Sequence, residues 1–208
     1  MQTVLVLAPH TDDGELGCGA TMAKMIADGK ELFYVAFSAC EESVPNGFPK
    51  NILVQEVKKA TLRLGLNPER LIIKNFPVRH FPEYRQAILE DLVSLSREIK
   101  PDLLFTPSSF DVHQDHRTIY EETIRAFKNS SILGYEFMWN NYSFGSTLFS
   151  VVQEEHILAK IEALSEYKSQ AGRFYAMDKF VKGLANYRGL QIKEEYAEAF
   201  EVIRWILR

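Results

Sequence analysis

The sequence predicts an α/β protein: a mostly parallel β-sheet covered by helices on both faces. Three observations lead there. Short apolar runs alternate with helix-period segments through the first two thirds of the 208 residues. Those runs are continuously apolar, as strands buried on both faces are. Two of them are followed directly by clusters of histidine and acid, the position where open α/β sheets place their ligand sites.

Val4 to Ala8 is the first apolar run of strand length. A loop with Gly14, Gly17 and Gly19 follows it, then a helix to about Asp28 that Gly29 closes. Leu32 to Phe37 reads as the second strand. Leu53, Val57, Ala60 and Leu64 recur at helical spacing, with Gly65 as the stop. Leu71 to Phe76 is the third strand. Pro82 opens a long helix striped by Tyr84, Ile88, Leu92, Leu95 and Ile99. Leu103 to Thr106 is the fourth strand, and the next helix runs from about Asp115 to Phe127. Tyr135 to Phe149 is rich in aromatics, and Glu154 to Tyr167 is a helix. Ala199 to Leu207 is a closing element that the pattern leaves open between strand and helix. No repeat or linker-like tract interrupts the chain, so a single domain over residues 1–208 is expected.

Composition narrows the function classes. The net charge of −4 and the absence of a dense Lys/Arg run argue against nucleic-acid binding. No apolar stretch has the roughly 20 residues needed to cross a bilayer, and no signal peptide is visible. Two cysteines, Cys18 and Cys40, are too few for a disulfide scaffold and suit a reducing cytoplasm, the expected location.

The chemistry lies in His10-Thr-Asp12-Asp13 and Asp111-Val-His113-Gln-Asp115-His116. If their strands are parallel neighbours, both clusters meet at one sheet edge, joined by His80 after the third strand. Histidine with carboxylate suits zinc, and equally ferrous iron. A dinucleotide-binding turn is disfavoured: the glycines fall as Gly14-x-x-Gly17-x-Gly19, and Asp12, Asp13 and Glu15 would repel a phosphate. His10 and Asp13, three apart on a tight loop, are assigned as metal ligands, with His116 as the third. Asp12 faces the opening as general base, and His113 stabilises the oxyanion or protonates the leaving nitrogen. Asp115 or Asp111 orients His113; spacing does not choose between them. The plainer alternatives are that Asp12 and Asp13 merely complement a helix dipole and that Asp115 is an N-cap. They leave three histidines unexplained.

The two motifs together resemble the PIG-L/LmbE family of metal-dependent N-acetyl-sugar deacetylases. That family's first motif reads A-H-P-D-D-E or A-P-H-P-D-D-E, against Ala8-Pro9-His10-Thr11-Asp12-Asp13-Gly14 here. Its second, H-x-D-H, is matched in full by His113-Gln-Asp115-His116. Gly17-Cys-Gly19, the Glu56 helix ending in Leu64-Gly65-Leu66, and Arg188-Gly189…Tyr196-Ala-Glu198 extend the likeness over nearly the whole chain. The resemblance implies a Rossmann-like three-layer α-β-α architecture, the LmbE-like fold. It implies Zn2+ (or Fe2+) on His10, Asp13 and His116, with Asp12 as base and His113 as electrostatic or acid catalyst. Thr11 replaces the family's proline, and Gly14 stands where glutamate is common.

The expected activity is hydrolysis of an N-acetyl group from an amino sugar or glycoconjugate precursor. The alternatives are a non-catalytic sugar- or nucleotide-binding protein on the same fold and an amidase acting on a non-sugar amide. Catalysis is assigned to Asp12, His113 and Asp115, and substrate contacts to Arg79 and Asp111. His80 is expected to be structural, Cys18 to pack, and Glu42 and Ser43 to line the cleft. Trp139 and Tyr142 offer either a sugar-stacking wall or an interface. The expected partner is a small N-acetyl sugar, without nucleic acid or membrane insertion; a homo-oligomer stays open.

Overall fold

A computed structural model describes residues 2–207. Its single sheet has seven strands: β1 (Thr3–Ala8), β2 (Glu31–Ala36), β3 (Leu71–Ile73), β4 (Leu103–Pro107), β5 (Ser131–Tyr135), β6 (Leu148–Val152) and β7 (Tyr196–Arg204). Their order is β3-β2-β1-β4-β5-β7-β6. The pairs from β3 through β5 are parallel, whereas β7 runs antiparallel to both β5 and β6. Six helices complete the three layers: α1 (Asp13–Ala27), α2 (Ile52–Arg63), α3 (Arg85–Ile99), α4 (Gln114–Ala126), α5 (Glu154–Ser165) and α6 (Asp178–Leu190). Among the described residues, no helix is long and apolar enough to cross a membrane.

Strand β1 shows why the apolar runs are continuous. Val4, Val6 and Ala8 belong to one core with α1, α2, α5 and α6, while Leu5 and Leu7 belong to the other with α3 and α4. Successive strand residues face opposite sides, so both faces need apolar side chains. Each such Leu or Val, fully removed from water, contributes roughly 1.5–3 kcal/mol.

β1 and β4 are adjacent. The chain leaves β1 for strands on one side and β4 for strands on the other, so their carboxyl ends flank the crevice where the strand order reverses. Both acid–histidine clusters therefore emerge side by side.

Several boundaries differ from the sequence expectation. β3 stops at Ile73, although Lys74 and Phe76 still donate their amides to Ala36 and Phe37 beyond its end. Pro82 sits in a single 3-10 turn, Phe81–Tyr84, and α3 begins only at Arg85. The closing element is a strand, β7. Helix α1 is not continuous: Cys18 has φ −147° and ψ 23°, and the helix restarts beyond it. Glu198 of β7 accepts from Ala20 N (3.2 Å) and Thr21 N (2.7 Å), capping the restarted segment. The Lys160 ammonium pairs with Glu198 at 2.7 Å and donates to Leu16 O at 2.8 Å, so charged side chains serve backbone groups on both sides of the break. A Cβ on Gly17 would lie 2.5 Å from the Tyr135 ring, which explains a glycine just before it.

Candidate metal centre and active site

The β1–α1 loop delivers His10 and Asp12 and the first residue of α1 delivers Asp13, while the β4–α4 loop delivers Asp111 and His113 and the first turn of α4 delivers Asp115 and His116. Three donor atoms form a compact triangle: His10 Nδ1 to Asp13 Oδ2 is 3.1 Å, His116 Nε2 to Asp13 Oδ2 is 3.2 Å, and His116 Nε2 to His10 Nδ1 is 3.2 Å. Around a tetrahedral ion with bonds of 2.0–2.2 Å, ligand atoms stand roughly 3.4 Å apart, so the triangle has nearly the right edge already.

The far nitrogen of each imidazole meets a carboxylate. His10 Nε2 is 3.0 Å from Asp115 Oδ2, and His116 Nδ1 is 2.7 Å from Asp111 Oδ2. Metal-bound histidines usually donate that second N–H to an acid, which fixes the tautomer and turns the other lone pair toward the ion. These contacts correct two expectations. Neither Asp115 nor Asp111 touches the ring of His113 with its carboxylate; they orient His10 and His116. Asp111 is also no substrate contact, because its second oxygen accepts the His113 amide (2.9 Å) and the residue is buried. Asp115 is likewise saturated: it accepts from Arg79 N (2.6 Å) and Phe81 N (3.2 Å) besides His10. It is a positioning group rather than a catalyst.

His113 lies against both other imidazoles, its ring centre 4.6 Å from that of His116 and 5.1 Å from that of His10. The three histidines by themselves are close enough to share an ion. The local bonding argues against that set. His113 is the N-cap of α4, and its Nδ1 accepts the Asp115 amide at 3.2 Å. A neutral imidazole accepting at Nδ1 carries its hydrogen on Nε2, so His113 presents a donor instead of a lone pair. Asp13 Oδ2, by contrast, stands 3.1 and 3.2 Å from the donor nitrogens of His10 and His116.

The electrostatics agree with a cation in the triangle. Burial lowers His116, but the charges of Asp13 and Asp111 overrule it and push the imidazole up to about 10. His10 is likewise raised, burial being outweighed by Asp13 and Asp115. Asp13 falls well below the usual carboxylate range, because its two histidine neighbours outweigh its burial. Carboxylates that retain protons on these rings would equally favour a divalent ion. Burial and the crowding of two other imidazoles push His113 down to about 4. Burial and the neighbouring Asp13 raise Asp12, against the pull of Arg173.

Behind the loop, Glu15 is fully buried. Tyr34 Oη lies 2.5 Å from its Oε2, and Tyr167 Oη lies 2.8 Å from its Oε1. Both phenols also reach the Thr11 carbonyl, at 2.9 and 2.7 Å. Burial pushes Glu15 up to about 8, so near neutrality it retains a proton that helps serve these four contacts. A Cβ on Gly14 would lie 2.3 Å from the Tyr34 ring. Glycine at that position admits Tyr34, and the buried acid stands one residue later.

The triangle opens into a cleft of about 220 Å³ whose walls include Asp12, Cys40, Ser43, Arg79, His113, Trp139, Asn140, Gln170 and Arg173. Arg79 lies in this wall, as expected, and so does Ser43; Glu42 contributes only its carbonyl, 3.4 Å from the Arg79 guanidinium. Trp139 lines the cleft and stacks on Phe137 at 4.9 Å, whereas Tyr142 is 93% exposed. His80 is exposed on Glu83 at 2.7 Å. Cys18 donates its thiol to Gly14 O, away from the triangle. Gln170 and Arg173 are not marked by the sequence. They lie between α5 and α6, where no motif or periodicity singles them out, and Arg173 reaches within 3.7 Å of Asp12.

Comparison with known proteins finds deacetylases among the similar chains. The chain is 28% identical over 172 residues to the uncharacterized deacetylase YaiS of Escherichia coli (strain K12), covering 80% of this chain and 90% of that one. The conserved protein TT1542 from Thermus thermophilus superposes with a TM-score of 0.82 at 26% identity, covering 100% of this chain and 97% of the other. The N,N'-diacetylchitobiose deacetylase from Pyrococcus horikoshii shares the fold with a TM-score of 0.79 at 21% identity, covering 97% and 84%. The family model for PIG-L, GlcNAc-PI de-N-acetylase, matches residues 5–127, a span that holds both acid–histidine clusters. The chain therefore belongs to the PIG-L family of de-N-acetylases.

Proposed function

We propose that this protein, acting as one domain over residues 1–208, is a zinc-dependent hydrolase that removes the acetyl group from an N-acetylated amino sugar. The observation that carries the reading is the donor triangle of His10, Asp13 and His116, each imidazole backed by its own carboxylate. When bound there, the metal supplies Lewis-acid polarisation of the amide and lowers the pKa of water to about 7.

The chain's own groups do the rest. Asp12 lines the cleft beside the triangle without sharing its three donor atoms, the place from which a carboxylate can accept a proton from water. It takes the proton of the attacking water. His113 presents Nε2–H from the α4 N-terminus, where it stabilises the developing oxyanion as a neutral donor, and the proton that Asp12 took from water goes on to the leaving nitrogen. Asp111 and Asp115 hold the two ligand rings. Trp139 offers an apolar face to a sugar ring, a frequent use of an aromatic half-exposed in a cleft. Arg79 contributes a substrate contact on the opposite wall.

The test is release of free amine and acetate from N-acetylglucosamine and its oligomers by zinc-loaded protein, with chelated protein as control. Turnover that zinc restores after chelation supports the reading. A zinc-loaded protein that binds these sugars and never releases amine would overturn it in favour of a binding protein.

A further inference from the structure

We infer that the cleft selects N-acetyl sugars bearing an anionic substituent, a phosphate or a carboxylate, held by Arg79 and Arg173. This rests on the deacetylase reading of the same site.

Both arginines line the cavity that contains the metal triangle. Arg79 is exposed, and its guanidinium meets only neutral acceptors: Ser43 Oγ at 3.2 Å and the Glu42 carbonyl at 3.4 Å. Among the described residues no carboxylate lies within ion-pair distance of it. Its backbone is in the left-handed region at φ 72°, which costs a residue with a Cβ about 1–2 kcal/mol. That conformation is held by the hydrogen bond from Arg79 N to Asp115 Oδ2, at 2.6 Å, and the same oxygen contacts His10 Nε2. One carboxylate thus sets both a metal ligand and the start of the arginine. Strain of this kind persists where surrounding structure over-determines it, and it points toward a working role for the side chain.

Arg173 approaches from the other wall. Its segment is anchored at the base by Tyr167 on Thr11, and by Glu56 accepting from Ser169 N at 2.8 Å and Ser169 Oγ at 2.5 Å. Arg173 lies 3.7 Å from Asp12, with its side chain 41% exposed. It also lines a second cavity of about 220 Å³, which adds Lys168 to the cationic side.

Charge gives the groove a direction. The acids lining the central cleft are Asp12 and Asp13, matched by two arginines, and a divalent ion would tip the balance positive. Beyond Cys40 and Val78 the groove continues past Glu41 and Glu42, a side unfavourable to an anion. An anion therefore belongs between Arg79, which borders that edge, and Arg173 across the cleft, with Lys168 beyond Arg173. Neutral sugar hydroxyls make single hydrogen bonds, whereas a guanidinium fork matches the paired oxygens of phosphate or carboxylate.

The experiment compares N-acetylglucosamine with its 1-phosphate and with N-acetylglucosaminuronic acid. Affinity is read by calorimetry on metal-free and zinc-loaded protein, and turnover by acetate release. Either anionic sugar is expected to bind at least tenfold tighter than the neutral one with or without zinc, and the stronger of the two identifies the anion. Arg79→Asn, a residue tolerant of the left-handed region, should collapse the ratio toward one; Arg79→Lys should retain part of it, and Arg173→Gln should reduce it. Equal binding of charged and neutral sugars would overturn the inference. So would a preference that survives both Arg79→Asn and Arg173→Gln, because it would belong to the metal. If no sugar is deacetylated, the enzyme reading falls, while the calorimetric ratio still decides the anion site.

Discussion

The inner and outer walls of the cleft are built differently. On the inner wall the working groups sit among two or more partners: Asp115 serves His10, Arg79 N and Phe81 N, and Asp111 serves His116 and His113 N. Even the Thr11 carbonyl, between His10 and Asp12, is held by two phenols. The outer wall, with Arg79, Trp139 and the Arg173 segment, is exposed and held mainly through its backbone or its base. Chemistry that needs donor atoms placed to a few tenths of an ångström is held from behind, whereas recognition is left to side chains that can adjust to a ligand.

That contrast can be broken at graded depths. The largest effect on turnover is expected from Asp12→Asn, which should lower kcat by about 10²–10⁴-fold while zinc content stays near that of the parent. Retained turnover with metal bound would remove Asp12 from the mechanism. Next comes Asp111→Asn, which frees the His116 ring and should weaken zinc binding about 10–100-fold in a competition titration with a chelating dye. An unchanged affinity there would mean that the triangle does not depend on its carboxylate backing.

The smallest effect is expected behind the loop. Glu15→Gln preserves a neutral donor and acceptor between Tyr34 and Tyr167, and should shift stability by less than about 1 kcal/mol in urea denaturation. Glu15→Ala leaves buried hydroxyls unpartnered and should cost about 2–4 kcal/mol. Equal losses in the two variants would show that Glu15 works there as an anion.

Much of this arrangement is legible in the sequence, and the limits have physical causes. Strands buried on both faces announce themselves as apolar runs, so β1, β2 and β4 can be read almost to their ends. The motif spacing brings His10, Asp13 and His116 together, because β1 and β4 are neighbours at the point where strand order reverses. Spacing says nothing of which way a loop carboxylate turns, so the partners of Asp111 and Asp115 come only from the structure. β5 contains Ser131 and Gly134, and its composition hides it. α6 is hidden because Gly183 and Gly189 dilute its pattern; Gly189 is required there, since a Cβ would lie 2.6 Å from the Glu194 carbonyl. Arg173 and Gln170 reach the cleft from an irregular segment that no pattern marks.

The central claim is that the ion is held by His10, Asp13 and His116, with His113 left to face the substrate. Zinc stoichiometry of Asp13→Ala and His113→Ala, measured side by side by elemental analysis after identical zinc loading, tests it most directly. The account predicts about one zinc per chain in the parent and in His113→Ala, with most of it lost from Asp13→Ala. Zinc retained by Asp13→Ala and lost from His113→Ala would contradict it and make the three imidazoles the ligand set.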